Sequence, residues 1–320
     1  MWRSNGSRWR RKSALTICIN TFEYIDLSIC DILFYDKEGQ EGINMSLKSV
    51  LKRCAKFLVY GQPVINKYVS VAHIDDNKLL AGKKILVTGG TGGIGLSVAK
   101  KIIAAGGEVI ITGRSQDKLN NALKEIDSNN CKAIVFDIAN ITSIKSKFLD
   151  VVDLFDGKLD AVVSNAGIYK QKNFFDYTLD DYTRTMDTNF KGAFFLAQAT
   201  IKYWLDNHID GNLVFVSSER GIMSDVHPYG LSKVACNSFV EGLAKQYGVN
   251  DIRVNAVAPG ITATNINNIN PDGNLWFDKR RIMRPEEIAE VVKFLLSDAS
   301  KCVNGQIVAC NEAYSVNMDC

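Results

Sequence analysis

The sequence predicts an α/β fold in which helices cover both faces of a doubly wound, mainly parallel sheet, preceded by an N-terminal extension. Beyond about residue 80, apolar β-branched runs alternate with segments of helical periodicity, a pattern typical of parallel strands joined by right-handed crossovers. A turn with five glycines in eight residues, at 88–95, separates the first strand from its helix. The 320 residues, 46% of them hydrophobic, are enough for one large domain with an appendage.

The glycine turn lies between an apolar run at 84–88, typical of a buried parallel strand, and a helical pattern at 96–105. Glycines let the backbone turn tightly and approach a pyrophosphate, and the helix N-terminus supplies N–H groups and a partial positive charge. This context favours a dinucleotide-binding turn over an ordinary flexible loop. The cofactor contacts predicted from the turn are Thr88, Gly89, Thr91, Gly92, Gly93, Ile94 and Gly95.

The second strand, at 108–112, ends at Gly113 and Arg114. Folds that bind NAD usually carry an acid here, which holds the ribose 2′-hydroxyl. The guanidinium of Arg114 can instead grip a 2′-phosphate with two parallel hydrogen bonds. We therefore expect NADP to be preferred, with NAD as the alternative cofactor. The competing interpretation is that Arg114 only caps a strand end in water, and Gly92 offers no second basic residue in the turn.

Tyr229 and Lys233 lie four residues apart in a segment of helical character, so their side chains share one face. A free tyrosine has a pKa of about 10, and a nearby positive charge lowers such a value. We expect Tyr229 to donate and accept a proton for a carbonyl/alcohol couple. The same spacing also occurs where both side chains are merely solvated, so the other motifs decide between these interpretations.

Taken in order, these motifs and several others resemble the short-chain dehydrogenase/reductase family, in the branch that includes 3-oxoacyl-ACP reductase-like oxidoreductases. The likeness spans residues 80–316, and the joint order of its motifs is specific. It implies a Rossmann fold with a seven-stranded sheet. The further motifs that carry it are Asp137, Asn165-Ala166-Gly167, Asn189, Ser217-Ser218, the run 259–264, and the segments 284–298 and 305–308.

The resemblance implies four catalytic residues. Ser218 would hold the carbonyl oxygen of the substrate, and Tyr229 would pass its proton to that oxygen. Lys233 would assist the tyrosine and bind the nicotinamide ribose, while Asn189 would hold a water that links the lysine to solvent. The cofactor contacts implied beyond the glycine turn are Arg114, Asp137, Ile138, Asn165, Ala166, Gly167, Tyr229, Lys233, Pro259, Gly260, Thr262 and Thr264.

The sequence departs from the family around the substrate pocket. The loop between Ser218 and Tyr229 is shorter than in many relatives, and the charged pair Glu219-Arg220 follows the serine. His227 either touches substrate or lies on the surface, and the surface position is favoured. The polar run at 265–281 is expected to form a mobile lid with Leu275, Trp276 and Phe277 as its apolar contacts, or else a plain surface loop.

Composition excludes several other classes. A net charge of +3 gives no argument for nucleic-acid binding, and no stretch reaches the length of about 18 apolar residues that a membrane span needs. The eight cysteines are scattered and the three histidines far apart, so no metal site is expected. We reject an export signal and expect a cytoplasmic protein with reduced cysteines.

We divide the chain into a poorly defined extension at 1–44, an amphipathic basic helix with its linker at 45–79, and a catalytic domain at 80–318. Met45 is suspected to be the native start. The helix at 45–60 either packs on its own domain or a partner subunit, or lies on an anionic membrane surface. The resemblance implies a homodimer or homotetramer paired through long helices at 180–207 and 229–247.

The leading function is an NAD(P)-dependent oxidoreductase that acts on a small-molecule carbonyl or secondary alcohol. One alternative is a nucleotide-sugar epimerase or dehydratase of the related extended branch, whose glycine spacing also fits. Another is a cofactor-binding regulator that has lost turnover. A 3-oxoacyl thioester, a steroid-like ketone, a sugar and a small polyol all remain open as substrates.

Overall fold

The computed structural model describes residues 76–264, 266–267, 269, 275–277 and 280–315. The predicted extension at 1–44, the basic helix at 45–60 and most of the predicted lid lie outside these residues. The proposed boundaries at 44/45 and 79/80 therefore stay predictions.

One parallel sheet of seven strands organises the described part of the chain, as the sequence predicted. Its order is β3-β2-β1-β4-β5-β6-β9, and every neighbouring pair is parallel. A separate short hairpin joins β7 to β8. The strands are β1 Lys84–Val87, β2 Glu108–Gly113, β3 Cys131–Val135, β4 Ala161–Ser164, β5 Asn212–Val216, β6 Arg253–Pro259, β7 Trp276–Phe277, β8 Arg280–Arg281 and β9 Ile307–Cys310.

Helices connect consecutive strands of the sheet and cover both of its faces. They are α1 Gly93–Ala104, α2 Gln116–Ile126, α3 Ile141–Leu154, α4 Leu179–Met186, α5 Gly192–Asp206, α6 Pro228–Tyr247 and α7 Pro285–Leu296. The long helix expected at 180–207 is interrupted by a π-helical turn, Asp187–Lys191, between α4 and α5. None of the helices among the described residues is long and apolar enough to cross a bilayer.

Side chains on successive residues of β1 point to opposite faces and enter two separate hydrophobic layers. Ile85 and Val87 belong to the layer beneath α1 and α7, whereas Leu86 belongs to the layer beneath α3, α5 and α6. All three are fully buried, which explains why the strand reads as a continuous apolar run rather than an alternating one.

The strand order reverses direction between β1 and β4. The chain first builds outward from β1 through β2 to β3, and then returns to place β4 on the other side of β1. In such sheets the loops that follow the two central strands separate and leave a crevice at their carboxyl ends, where ligands bind. The glycine turn after β1 and Asn165 after β4 both fall at this point.

Candidate active site

The glycine turn leads directly from β1 into α1, and its glycines are required by geometry. Gly89 and Gly93 have φ angles of 67° and 53°, in the left-handed region that disfavours residues with a side chain. A Cβ atom at Gly95 would lie 2.3 Å from the carbonyl oxygen of Gly89. The first turn of α1 can therefore approach the strand end only without a side chain at this position.

Thr88 and Asn165 join the glycine turn to the end of β4. The Nδ2 atom of Asn165 donates hydrogen bonds to the carbonyls of Thr88, at 2.9 Å, and Gly89, at 3.0 Å. The Thr88 hydroxyl in turn accepts the N–H groups of Asn165 and Ala166, at 3.0 and 3.1 Å. Gly167 follows, packed near Asn189. Predicted residues from separate motifs thus lie together at the crevice.

The N-terminus of α1 fits a dinucleotide pyrophosphate. A Cβ placed on Gly92 would meet no atom within 4 Å. As a glycine, this N-cap residue has no side chain that could accept the free N–H groups of the first turn. Thr264 approaches from the loop after β6, since its Cγ2 would lie 3.0 Å from a Cβ on Gly93. Open space beside uncapped helical N–H groups is the arrangement that binds phosphate. Ile94 turns the other way and packs against the core.

Gly113 ends β2 with its Cα close to the side chain of Thr91 in the glycine turn. A Cβ at Gly113 would lie 2.6 Å from Cγ2 of Thr91, closer than real Cβ contacts allow. Arg114 follows at the strand end, exposed to solvent. The position that holds the 2′-hydroxyl in NAD-binding folds therefore carries no carboxylate here, and a side chain at this position would require Thr91 to move.

The remaining predicted cofactor residues follow two other strands. After β3, Oδ1 of Asp137 accepts the N–H of Ala139 at 3.0 Å, and Ile138 is buried. After β6, Pro259 is buried at the strand end, and the Thr262 hydroxyl donates to the Gly260 carbonyl at 3.0 Å. Both loops leave the carboxyl edge of the sheet, on the same side as the glycine turn.

Tyr229 and Lys233 lie in the first turns of α6, which begins at Pro228. The Nζ atom of the buried Lys233 donates to the carbonyl of Val216 at 2.8 Å and lies 5.7 Å from the centroid of the Tyr229 ring. The ring of Tyr169 packs edge-on against Tyr229, with centroids 4.9 Å apart. The ammonium and the phenol therefore do share one side of the helix.

The two adjacent serines that follow β5 have different roles. The Ser217 hydroxyl donates to Oδ1 of Asn237 at 2.6 Å, inside the protein. The Ser218 hydroxyl accepts the N–H of Arg220 at 3.2 Å, and among the described residues it acts only as an acceptor. Its proton is thus available to a substrate oxygen, which supports the choice of the second serine.

Asn189 lies in the middle of the π-helical turn and its side chain is fully used. Its Oδ1 accepts the N–H of Ile168 at 2.8 Å, while its Nδ2 donates to the Ile168 carbonyl at 2.9 Å and to the Ser232 hydroxyl at 3.3 Å. Asn189 therefore fixes the chain after β4 against α6. π-Helical turns of this kind frequently occur at functional sites.

A pocket opens beside Tyr229, and the sequence carries no signal for most of the residues that line it. His227, for which a surface position was favoured, is only partly exposed and belongs to this wall. Burial raises the pKa of Tyr169. The lining residues are Tyr169, Gln171, Tyr177, Arg220, Asp225, His227 and Tyr229.

Asp225 is the buried charge of this pocket. Burial by itself raises its pKa, but hydrogen bonds from the main chain and ring of His227, together with the charge of Arg220, outweigh burial and hold the pKa below its usual range. Neither in this pocket nor elsewhere among the described residues do three His, Cys, Asp or Glu side chains form a group that could hold a metal ion.

Comparison with known proteins identifies the family. The short chain dehydrogenase family model matches residues 83–274. The chain is 31% identical to the 3-oxoacyl-(acyl-carrier-protein) reductase FabG of Aquifex aeolicus, over 72% of this chain and 97% of that protein. It is 32% identical to glucose 1-dehydrogenase of Gluconobacter oxydans, over 71% of this chain and 89% of that protein.

Solved structures agree with this likeness. A short-chain type dehydrogenase/reductase from Mycobacterium marinum is 30% identical, with a TM-score of 0.69 over 76% of this chain and 99% of its own. The chain belongs to the short-chain dehydrogenase/reductase family, and it is an NAD(P)-dependent oxidoreductase acting on CH–OH groups.

Proposed function

We propose that this protein is an NADP-preferring oxidoreductase that interconverts a carbonyl and a secondary alcohol, with Tyr229 as its general acid and base. The observation that carries the proposal is the position of the buried Lys233 ammonium, 5.7 Å from the Tyr229 ring and anchored at the end of β5. When bound, NADPH supplies the hydride; the remaining chemistry is the transfer of one proton.

Ser218 and Tyr229 handle the substrate oxygen in this proposal. The Ser218 hydroxyl donates a hydrogen bond to the carbonyl oxygen and holds it in place. The Tyr229 hydroxyl gives its proton to the same oxygen as negative charge develops there, and takes a proton back in the oxidative direction. Lys233 stabilises the phenolate left on Tyr229, because opposite charges attract strongly in a buried site.

Reprotonation of Tyr229 requires a path to solvent. Lys233 is the neighbour that can receive and pass on protons, and Asn189 would hold the water that links it to solvent. The side chain of Asn189 is engaged with Ile168 and Ser232, so this role falls to its main-chain carbonyl, which faces α6 and accepts from the Cys236 thiol at 3.4 Å.

The residues that would hold NADP surround the crevice between β1 and β4. Gly92 and Gly93 face the pyrophosphate at the N-terminus of α1, and Arg114 pairs with the 2′-phosphate. The absence of an acid at Gly113, where a side chain would press against Thr91, supports NADP over NAD. The other contacts proposed are Thr88, Gly89, Thr91, Ile94, Gly95, Asp137, Ile138, Asn165, Ala166, Gly167, Tyr229, Lys233, Pro259, Gly260, Thr262 and Thr264.

Self-association is part of the same proposal. Leu231 and Val234 on α6 are each 43% exposed, and an apolar helix face of this kind is suited to pairing with a second copy. A homodimer or homotetramer would be detected by light scattering. Neither the epimerase nor the regulator alternative is favoured, because the similar proteins named above are a reductase and a dehydrogenase.

The test is a panel of ketones and secondary alcohols, followed by nicotinamide absorbance with NADPH and with NADH. We expect turnover of at least one carbonyl class, faster with NADPH. Faster turnover with NADH throughout would overturn the assignment of Arg114, and absence of dinucleotide binding would overturn the proposed function itself.

A further inference from the structure

The pocket beside Tyr229 carries a hydrogen-bonded cluster of Arg220, Asp225 and His227. We propose that this cluster binds hydroxyl groups of the substrate, so that the enzyme acts on a polyhydroxylated carbonyl compound of the sugar or polyol class and not on an apolar ketone or acyl chain. The inference rests on the proposed function and names the substrate class of the same site.

Asp225 holds the cluster together from beneath. Its side chain is only 4% exposed, and its Oδ1 accepts the main-chain N–H of His227 at 2.9 Å and lies 2.5 Å from Nδ1 of the same ring. Its Oδ2 is 3.4 Å from the Arg220 guanidinium. Both carboxylate oxygens are therefore committed within the cluster, and the imidazole is fixed by its partner.

The orientation of His227 decides what it offers to a ligand. An ionised carboxylate only accepts hydrogen bonds, so Nδ1 of the ring carries a proton and donates it to Asp225, and Nε2 is the ring nitrogen left for a ligand. The imidazole is 27% exposed and lines the pocket next to Tyr229. A substrate hydroxyl both donates and accepts, so it can hydrogen-bond to Nε2, whereas a methyl or methylene group cannot.

Other residues of the wall supply donors. The Tyr169 hydroxyl donates to Oε1 of Gln171 at 2.7 Å, and among the described residues the amide nitrogen of Gln171 has no hydrogen-bond acceptor. The Arg220 guanidinium, 41% exposed, adds further donors. A hydroxyl group both donates and accepts, so it satisfies both sides of this pocket. An apolar substrate would leave these groups desolvated and unpaired, which sites of this kind strongly reject.

The sequence around Tyr229 is adapted to this cluster. A Cβ on Gly230 would lie 2.2 Å from Oδ2 of Asp225. The residue that follows Tyr229 must therefore be glycine for the Asp225 carboxylate to fit. Tyr177 packs its ring edge-on to His227, with centroids 5.9 Å apart. Its own hydroxyl is already used within its loop, because it accepts the N–H of Lys172 and donates to the Lys170 carbonyl.

The test compares ketones of one size that differ in their number of hydroxyl groups. The parent is 3-pentanone; replacing one of its methyl groups by hydroxyl gives 1-hydroxy-2-butanone, and replacing both gives dihydroxyacetone. A ketohexose and 2-hexanone extend the panel to longer chains. With NADPH, we expect kcat/KM to favour the hydroxylated members by at least about tenfold. Preference for the apolar members, or NADPH binding with no turnover of any hydroxylated ketone, would overturn the inference.

Variants localise the effect. In His227→Phe the ratio of kcat/KM for hydroxylated ketones to kcat/KM for apolar ketones should fall towards 1, mainly because KM for the hydroxylated ketones rises. Asp225→Asn should also raise KM for the hydroxylated ketones without weakening NADPH binding. An amide in place of the carboxylate can donate to Nδ1 of His227 and reverse the tautomer of that ring. Val226→Ala, an exposed neighbour outside the pocket wall, is the control and should keep the wild-type preference. An unchanged preference in His227→Phe would contradict the inference. Reduction of apolar ketones alone would leave the proposed function standing, whereas loss of NADPH binding in the wild type would not.

Discussion

The Nζ atom of Lys233 donates a hydrogen bond of 2.8 Å to the main-chain carbonyl of Val216, the last residue of β5. Ser218 follows two residues later, and the same ammonium lies 5.7 Å from the Tyr229 ring. One side chain therefore ties the start of α6 to the strand end that carries the serine. The spacing of the two proposed catalytic hydroxyls depends on it.

Lys233→Met should lower kcat by at least about a hundredfold, because it removes both the charge that stabilises the phenolate and the anchor at Val216. Steady-state kinetics with NADPH and the best ketone measures the effect. Lys245→Met, on the exposed end of the same helix, is the matched control and should retain activity. Equal activity in both variants would contradict the role of Lys233.

Asn165→Ala should destabilise the protein by about 1–3 kcal/mol, because the carbonyls of Thr88 and Gly89 lose their donor. Denaturant unfolding checks this value. Asn207→Ala removes a similar bond to Tyr203 on the exposed surface and should cost less than about 0.5 kcal/mol. The increase in Tm on adding NADPH should also be smaller in Asn165→Ala than in wild type. An unaltered increase would mean that Asn165 does not contribute to cofactor binding.

Arg114→Ala should lower kcat/KM with NADPH by about tenfold or more, while kcat/KM with NADH changes little, since only the 2′-phosphate needs the guanidinium. Lys118→Ala, an exposed cation in the first turn of α2, controls for general loss of positive charge. If both cofactors were affected equally, Arg114 would have no part in selectivity.

The sheet and the cofactor turn were predictable because their signals are local. Each buried parallel strand is a short apolar run. The glycine turn is recognised by the apolar strand that precedes it and the helical pattern that follows it. The sequence shows that Gly113 stands where NAD-binding folds usually carry an acid. The closeness of Gly113 to Thr91, a residue 22 positions earlier, is visible only in the fold. The short hairpin β7–β8 within the predicted lid likewise gave no periodic signal.

The proposed substrate pocket could not be predicted, because the residues that line it are far apart along the chain. Tyr169 and Gln171 lie in an irregular loop after β4, and Asp225 lies in another before α6, some 50 residues away along the chain. Neither segment has a period, and polar residues in such loops usually face water. The sequence therefore favours a surface position for His227 over contact with substrate, whereas the structure bonds its ring to the buried Asp225 carboxylate in the pocket wall.

Asp181 anchors the loop that carries Tyr169 and makes one pH effect predictable. Hydrogen bonds from Lys170, then Lys172 and then Thr178 hold its pKa well below the usual range. A carboxyl whose folded pKa is depressed stabilises the fold above its unfolded pKa of about 3.9, and this contribution is lost as the pH falls further. Asp181→Asn should thus be less stable than wild type at pH 7.

The difference between Asp181→Asn and wild type should narrow when unfolding is measured at acidic pH, below the ordinary aspartate range. Asp180→Asn, whose carboxylate is 73% exposed beside Arg184, is the control and should match wild type throughout. A constant difference at all pH values would mean that the charge of Asp181 is not what stabilises the loop.

Tyr229→Phe tests the central claim most directly, because it removes the transferable proton and leaves the ring in place against Tyr169. Tyr182→Phe, which removes a hydroxyl from an exposed position on α4, is the control. The measurement is single-turnover reduction of the best ketone, with NADPH binding followed in parallel by fluorescence. The account predicts that Tyr229→Phe binds NADPH as tightly as wild type and loses turnover by at least about a hundredfold. Undiminished turnover in Tyr229→Phe would contradict it.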